Sequence, residues 1–499
     1  MLDDEVVFYC LASGIAALVA YFYFVQSPDT DPFILNVQAG ISQLRHPGET
    51  AVYRSRITPF TGTLLSGLSI GKSAFSTRDG NLADIWELAQ KASIGECSFG
   101  ATDSVNPISS EELARLVYGV GKKLQNSQNP IAVMLPNSIE SLVLTFAGPL
   151  FGTPVVFIAV EDVSVQQLEE FLSVAKPSSI VTTAEIIRGV RVPGEALVYS
   201  VKGDISGARS WSELAAECKQ HSVESFPEFD EVKAPVSFIY PGQAGEVKQT
   251  VLSNQNIVSA VASQIKSLPY SQQWNDSDLV LSCTSHLSMY TFILHLAAIV
   301  VGARLALPEK DSPTDLFKLI AEVQPTVLIS DDDTMKSLAG RADRLKVLGM
   351  IKLQMANSTL SRGIMPTTSV VLSFFKSVRL IHTSYNSLNT PDRALTTKET
   401  NTIRALTGAR VIHALCSPIC ASPLAQTQLF DYRLGADNVI NYGPVLPCLE
   451  AILKDHGLYS AEDKKGQLWI RGPACNNDSW TNTGIIGEWG IDGTLRTYA

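Results

Sequence analysis

The sequence has few basic residues and no long basic run. Lysine and arginine number 39 against 49 aspartates and glutamates, which gives a formal net charge of -10 over 499 residues. Nucleic-acid-binding proteins need a concentrated basic surface, and so do proteins held electrostatically on anionic membranes. This charge balance therefore argues against a nucleic-acid partner and against electrostatic attachment to an anionic membrane.

Cysteines are few, and they show no repeated short spacing. They lie at Cys10, Cys97, Cys218, Cys283, Cys416, Cys420, Cys448 and Cys475. A disulfide framework or a paired zinc knuckle would need regular close pairs. His413, Cys416 and Cys420 form a loose group without a fourth ligand nearby, so we interpret these cysteines as buried thiols and predict no metal site.

The chain does contain enough apolar material, 45% of its residues, for a large folded core. Strand-like and helix-like segments alternate after about residue 106, which is typical of parallel sheets covered by helices. Ser109 and Glu112 have the spacing of a helix cap, and Asn137 with Glu140 is predicted to cap the next helix. Strands are predicted at 131–135, 155–160, 180–183, 197–201, 236–240, 279–283, 304–307, 327–330, 378–382 and 410–415.

The first residues have the composition of a membrane anchor. Residues 6–25 carry no charge, and a helix of this length spans the ~30 Å hydrocarbon core of a bilayer. Acidic residues precede it in place of the cationic start of a signal peptide. We predict a single-pass anchor at 1–27, in the endoplasmic reticulum or a lipid-droplet membrane, with a buried core helix as the alternative. The shorter segment 290–301 is predicted to be a buried helix.

A glycine loop offers the first functional signal. The strand predicted at 236–240 runs into Gly242 and Gly245, and Lys248 follows. Backbone N–H groups in such a loop, with a cation beside them, suit a phosphate group. An alternative interpretation treats the glycines as turn formers and Lys248 as a solvated loop cation.

Further motifs follow in a fixed order along the chain. They are Leu135 to Ser138, Ser285 with His286, Gly302 to Arg304, Tyr442 to Glu450, Gly466 to Pro473, and then Trp480, Thr483, Gly484, Asp492 and Gly493. In this order they resemble the adenylate-forming (AMP-binding) acyl-CoA synthetase superfamily over roughly residues 107–498. The segment from Gly95 to Gly100 resembles its long-chain fatty-acid branch.

The resemblance implies the large N-terminal domain of adenylate-forming enzymes, an α/β fold. This domain has two helix-covered, mainly parallel sheets and a small β-rich subdomain. We divide the chain into an anchor at 1–27, an N-terminal extension at 28–106, an α/β domain at 107–465 and a β-rich end at 466–499. The family's C-terminal domain, which carries the catalytic lysine, is expected to be absent. The family's reaction forms an acyl-adenylate from ATP with magnesium and then transfers the acyl group to coenzyme A.

The resemblance also places a nucleotide site, and several of its positions have changed. Its remnants are Gly242, Gly245, Lys248, His286, Thr483 and Gly484, although His286 could also be an ordinary core histidine. Pro241, Gln243 and Ala244 stand where the family presents phosphate-binding hydroxyls, and a proline has no N–H to donate. Ile419 replaces the magnesium-binding glutamate and Ile485 the ribose-binding aspartate; an alkyl side chain cannot ligate magnesium.

These changes favour a membrane-anchored, non-catalytic relative that acts as a scaffold or as a lipid- or acyl-binding module, with a protein partner also considered. No catalytic residue and no cofactor is expected. The alternative is a residually active long-chain fatty acid-CoA ligase, and only this alternative requires ATP, magnesium and coenzyme A. A truncated gene model would explain a missing domain, but it would not explain Pro241, Ile419 or Ile485.

Overall fold

The computed structural model describes most of the chain. The described residues are 4–24, 27–58, 62–68, 79–91, 97–99, 106–125, 128–161, 163–194, 196–220, 222–242, 245–308, 316–366, 372–435 and 439–498. Gln243 and Ala244 lie outside them. Of the segment that resembles the long-chain branch, only residues 97–99 are described, as a strand.

Helices and strands alternate through the centre of the chain. The helices are α1 (Asp4–Phe24), α2 (Pro32–Asn36), α3 (Leu82–Lys91), α4 (Ser110–Leu124), α5 (Ile139–Leu150), α6 (Val165–Ala175), α7 (Trp211–Gln220), α8 (Asn254–Ser267), α9 (Met289–Val300), α10 (Leu316–Val323), α11 (Asp332–Ala339), α12 (Val347–Leu360) and α13 (Thr397–Thr407). The strands are β1 (Ala39–Ile41), β2 (Tyr53–Ser55), β3 (Cys97–Phe99), β4 (Asn106–Ile108), β5 (Ile131–Met134), β6 (Val155–Ile158), β7 (Ser179–Thr182), β8 (Leu197–Ser200), β9 (Arg209–Ser210), β10 (Val236–Pro241), β11 (Val247–Leu252), β12 (Leu279–Ser282), β13 (Arg304–Leu307), β14 (Val327–Asp331), β15 (Leu380–Asn386), β16 (Arg410–Cys416), β17 (Ala425–Gln426), β18 (Val439–Gly443), β19 (Glu450–Lys454), β20 (Lys465–Arg471), β21 (Thr481–Trp489) and β22 (Leu495–Tyr498).

Two sheets are mainly parallel, as predicted. One has the order β11-β10-β6-β5-β7-β8-β9, and the other β17-β16-β15-β14-β12-β13-β3-β4. Antiparallel strands occur only at their edges, in the pairs β10–β11, β16–β17 and β3–β4. Every residue of β5 and β6 is buried, because helices cover both faces of a parallel sheet and its strands become continuous apolar runs. The predicted strands are confirmed, and the largest displacement is the strand predicted at 378–382, which starts at Leu380 and extends to Asn386.

The third sheet is antiparallel and has the order β1-β2-β19-β20-β21-β22-β18. The β-rich end predicted from residue 466 supplies β20, β21 and β22. The sheet also contains β1 and β2 from the segment predicted to be an N-terminal extension. Strands from both sides of the proposed boundaries at 106 and 466 therefore lie in one sheet.

Helix α1 confirms the prediction of an N-terminal helix, and its side chains from residue 5 to residue 20 are exposed. The alternative of a buried core helix is therefore wrong. Within the described residues, no helix combines the length and the apolarity that crossing a membrane requires. The transmembrane span predicted at 1–27 is thus not supported. The second apolar segment forms α9, where the residues from Met289 to Ile299 are buried as predicted.

Candidate functional site

The glycine loop forms a tight hairpin between β10 and β11, which pair from Val236 with Leu252 to Pro241 with Val247. The N–H of Gly242 donates to the carbonyl of Glu246 at 2.7 Å, and the N–H of Gly245 donates to the carbonyl of Gly242 at 3.0 Å. Gly245 has φ +81°, a conformation that strongly favours glycine. The turn itself therefore uses the two N–H groups that the sequence suggested for a phosphate.

Glu246 is the charged residue that sequence analysis missed in this hairpin. A Cβ atom added to Gly242 would clash with the Glu246 carboxylate, so this carboxylate lies directly over the glycine. Its Oε1 atom is 3.1 Å from Nζ of Lys248, and both side chains are about half exposed. The predicted phosphate cation thus has an anionic partner, and that anion covers the glycine.

A cavity of about 220 Å³ opens beside this hairpin. It lies at the carboxyl ends of β15 and β16, the edge where α/β sheets bind ligands. Its lining residues are Tyr240, Pro241, Gly242, Leu287, Ser288, Met289, Asn386, Leu388, Asn389, Cys416, Ser417 and Pro418. None of these lining residues carries a carboxylate or an ammonium group, and the polar groups are hydroxyls, amides and a thiol.

The cavity does not fit a magnesium-bound triphosphate. Magnesium is usually held through one or two carboxylates together with substrate phosphates, and the lining supplies no carboxylate. Ile419, which is predicted to replace the family's magnesium-binding glutamate, is partly buried against the main apolar core and does not line the cavity. Among the described residues, no group of three or more His, Cys, Asp or Glu side chains could hold a metal ion.

His286 is buried and held by Asn137. The side-chain oxygen of Asn137 accepts hydrogen bonds from the backbone N–H of His286 at 2.7 Å and from its Nδ1 at 2.8 Å. Burial lowers the pKa of His286 to about 4, so the ring is neutral at neutral pH. Its Nε2 has no hydrogen-bond partner among the described atoms and the residue lines a separate cavity of about 20 Å³.

This contact also corrects the predicted helix cap at Asn137. Ser138 caps α5, because its Oγ accepts from the N–H of Ser141 at 3.2 Å. The Asn137 side chain is turned toward the loop before α9, where its Nδ2 donates to the carbonyl of Thr284 at 2.8 Å. The cap predicted at Ser109 is confirmed by its hydrogen bond from the N–H of Glu112.

Thr483 and Gly484 lie on β21 and are not among the residues that line the 220 Å³ cavity. The Thr483 hydroxyl donates to the carbonyl of Leu468 at 2.9 Å, and the N–H of Gly484 donates to Asn482 at 2.8 Å. Ile485 packs against the main apolar core. The structure therefore brings Pro241 and Gly242 to the cavity but not this part of the predicted site.

A buried polar cluster lies around Asp332, which sequence analysis did not single out. Its carboxylate accepts from the hydroxyl of Thr383 at 2.7 Å and from the backbone N–H of Leu395 at 2.9 Å. The Nε2 atom of His413 lies 2.7 Å from the same carboxylate. His413 therefore belongs to this cluster, while Cys416 and Cys420 are buried thiols as predicted. Asp332 and His413 are 81 residues apart in the sequence, so no local sequence pattern could have predicted their contact.

The sequence was compared with protein-family models and with known proteins. The sequence model of the family described as AMP-binding enzyme matches residues 107–477. An uncharacterized protein of Saccharomyces cerevisiae is 24% identical, with 96% of each chain covered.

Solved structures share the fold. A luciferase-like enzyme from the nonluminescent mealworm Zophobas morio aligns with a TM-score of 0.61 at 15% identity, covering 88% of this chain and 98% of the other. A benzoate CoA ligase from Burkholderia xenovorans LB400 aligns with a TM-score of 0.61 at 15% identity, covering 84% and 79%. At these identities the structural similarity is evidence for the fold alone.

Proposed function

We propose a function from the premise that this chain belongs to the AMP-binding enzyme family and has the α/β fold of the adenylate-forming N-terminal domain. We infer that it is a non-catalytic member of that family. It uses the inherited cavity to bind an uncharged or weakly polar lipid or acyl group, and it acts at an intracellular membrane to which α1 attaches it.

The observation that carries this proposal is the Glu246 carboxylate over Gly242, paired with Lys248. A nucleotide phosphate at this position would meet a carboxylate where the family offers donors. Two like unit charges 4 Å apart repel by about 1 kcal/mol in bulk water and by about 4 kcal/mol near a protein surface. The cavity lining contains no carboxylate that could hold a magnesium ion to offset that repulsion.

The cavity lining supports a ligand with an apolar part and an uncharged polar group. Leu287, Met289 and Leu388 supply apolar surface, while Asn386 and Asn389 supply amides. Its volume of about 220 Å³ is somewhat larger than the ~150 Å³ engineered cavity that holds benzene. This volume suits the end of an acyl chain or a small head group rather than a complete long chain.

Nucleotide titration of the purified full chain tests the non-catalytic assignment. We expect no measurable heat when ATP and magnesium are titrated into the protein in a calorimeter. Glu246→Gln removes the carboxylate charge without changing the side-chain size, so it should strengthen ATP binding about five- to tenfold and make weak binding measurable where the wild type gives only an upper limit.

The matched control is Glu213→Gln, which removes an exposed glutamate on α7. Helix α7 directly follows β9, which lies at the opposite edge of the sheet from the hairpin strand β11. This substitution should leave ATP binding unchanged. Magnesium-dependent ATP binding by the wild-type chain would contradict the proposal.

One observation favours the alternative, a residually active long-chain fatty acid-CoA ligase, because the cavity beside Gly242 is open rather than filled. This alternative predicts pyrophosphate release when ATP, magnesium, a fatty acid and coenzyme A are added together. The non-catalytic proposal predicts no release above the background of a protein-free reaction at any chain length.

Membrane attachment rests on the exposed apolar side chains of α1, which include Val6, Phe8 and Leu11. Exposed apolar surface of this kind is typical of membrane and protein interaction sites. Fractionation of cells that express the full chain tests it, and we expect the protein in the endoplasmic reticulum or lipid-droplet fraction. Alkaline carbonate extraction then separates a spanning helix, which stays with the membrane, from an interfacial one, which is released.

A further inference from the structure

Helix α12 is apolar on both its inner and its outer side. Its inner face buries Ala356 and Leu360 against Met365 and Tyr432. Its outer face exposes Val347, Leu348, Met350, Ile351 and Met355, with 68% of Leu348 and 58% of Met355 accessible. Asn357 and Ser358 are polar and exposed near the end of the helix, so the exposed apolar residues are concentrated towards its start. Exposed apolar surface of this kind is typical of a protein or membrane interaction site. We call the five exposed apolar residues the α12 face.

The C-terminal end of α12 lies near the point where the chain leaves α1. The N–H of Asp29 donates to the carbonyl of Gly363, just beyond the end of α12, at 2.9 Å. The Asp29 carboxylate accepts from Tyr432 at 2.8 Å and from Arg410 at 3.0 Å. Four residues lie between Phe24, the last residue of α1, and Asp29, and the five extended steps from one to the other reach at most about 18 Å.

Helix α2 adds two exposed apolar side chains close in sequence to Asp29. It starts three residues after Asp29 and exposes Phe33 and Ile34. The end of α1, the start of α2 and the end of α12 thus all lie within a few residues of the contact between Asp29 and Gly363.

The charges around α12 suit a lipid bilayer. Arg344 and Lys346 precede the helix, and Lys352 is the one charged residue within it; all three are exposed. Asp343 is also exposed in the preceding turn, so the cations outnumber the anion by two among these four residues. Cations beside an exposed apolar helix face are the pattern of helices that lie in the membrane interface, where they meet lipid phosphates.

We propose that the α12 face, together with Phe33 and Ile34, is a second membrane-contacting surface, which lies in the interface of the same lipid bilayer that holds α1. This inference rests on the membrane attachment stated under the proposed function. It adds that the body of the protein has a fixed orientation on the membrane.

Photolabelling of the full chain in vesicles tests this surface. The vesicles contain phosphatidylcholine, phosphatidylserine and a phospholipid with a photoactivatable diazirine in its acyl chain, and mass spectrometry maps the labelled peptides. We expect label in α1 and at residues 347–355. Helix α6 exposes two large apolar side chains, Val165 and Val174, compared with five on α12. We therefore expect α6 to remain unlabelled.

A double variant, Leu348→Asp with Ile351→Asp, places two charges on the α12 face. Because both side chains are exposed, the folded state should keep its thermal melting profile. Lipid labelling of α12 should fall about tenfold or more, while labelling of α1 stays unchanged. The matched control, Val165→Asp with Val174→Asp, should leave α12 labelling at the wild-type level.

Three results would overturn the proposal in distinguishable ways. Label on α1 but not on α12 would refute the α12 surface and leave the attachment through α1 standing. Label on neither helix would refute this surface and the proposed membrane attachment together. Chemical cross-links between α12 helices of two chains, in place of lipid label, would assign the α12 face to a second copy of the protein.

Discussion

Glu246 and Lys248 lie two residues apart in the sequence, and the hairpin turn determines where their charges point. The turn directs the Glu246 carboxylate back over Gly242, and Lys248 follows it. A glycine loop with a nearby lysine is therefore insufficient evidence for a phosphate site. The orientation of one carboxylate changes the sign of the charge that a ligand would meet.

Three buried histidines determine a second residue-scale property, the response of stability to pH. Burial lowers the pKa of His286 to about 4 and the pKa values of His295 and His382 to about 3, from an ordinary value of 6.5. Between pH 6.5 and these values, the unfolded chain binds more protons than the folded chain. The free energy of unfolding is therefore fully retained above pH ~6.5, and it falls as the pH is lowered toward ~4.

We predict a loss on the order of 3 kcal/mol per buried histidine across this window. Urea unfolding curves at a series of pH values measure it. His286→Gln should reduce the pH dependence, because it removes one of the three histidines whose pKa is lowered by burial and which only the unfolded chain protonates in this range. His46→Gln, which replaces an exposed histidine, should leave it unchanged. Equal pH dependence in the two variants would show that His286 does not contribute.

At the scale of elements, the antiparallel sheet depends on an aromatic contact between remote strands. Tyr53 of β2 stacks on Trp489 of β21, with ring centroids 3.9 Å apart and planes within 7° of parallel. Both rings are buried. In the same sheet, Glu450 of β19 accepts hydrogen bonds from Arg54 and Arg471.

Trp489→Ala should lower the free energy of unfolding by about 3–5 kcal/mol, because it leaves a large cavity against Tyr53. Urea denaturation followed by circular dichroism measures the change. Trp489→Phe should cost less, since it keeps part of the stacked surface. Tyr270→Ala removes a ring that is 92% exposed, and it should change the stability by no more than about 0.5 kcal/mol. A similar loss in Trp489→Ala and Tyr270→Ala would contradict the importance of the stack.

At the scale of the whole molecule, the N-terminal segment is part of the folded body. Strands β1 and β2 extend the sheet that contains the last strands of the chain. Gln38 donates to the Asp431 carboxylate at 2.7 Å, and Arg410 donates to Asp29 at 3.0 Å. Residues 28–58 therefore belong with the α/β domain in space, although the sequence suggested a separate extension.

Two deletions distinguish these descriptions of the N-terminal segment. A chain without residues 1–27 should keep a cooperative thermal transition, because the exposed helix α1 contributes little to the core. A chain without residues 1–58 loses Tyr53 and both strands, so its unfolding free energy should fall by at least the ~3–5 kcal/mol of one large aromatic truncation. Equal stability of the two chains, measured by urea denaturation, would show that the extension is an independent unit.

Sequence analysis alone was sufficient for the α/β class, for ten strands of the two mainly parallel sheets, for the glycine loop and for the family. It missed β3, β4, β9, β11 and β17, which are short or lie at the sheet edges. The features that it found depend on neighbouring residues, because apolar periodicity and turn chemistry are read over a few positions. The order of the motifs then located Pro241 and Gly242 at a site, and both do line the cavity.

Three features of the candidate site became visible in the tertiary structure alone. Glu246 covers Gly242, Asn137 hydrogen-bonds to His286, and Thr483 lies outside the cavity lining. The same is true of the sheet that joins β1 and β2 to β18–β22, and of the exposed apolar face of α12. The physical reason is that each of these features depends on the direction of a side chain or on contact between segments distant in sequence. Local propensity carries no information about such contacts, which are determined when the whole chain packs.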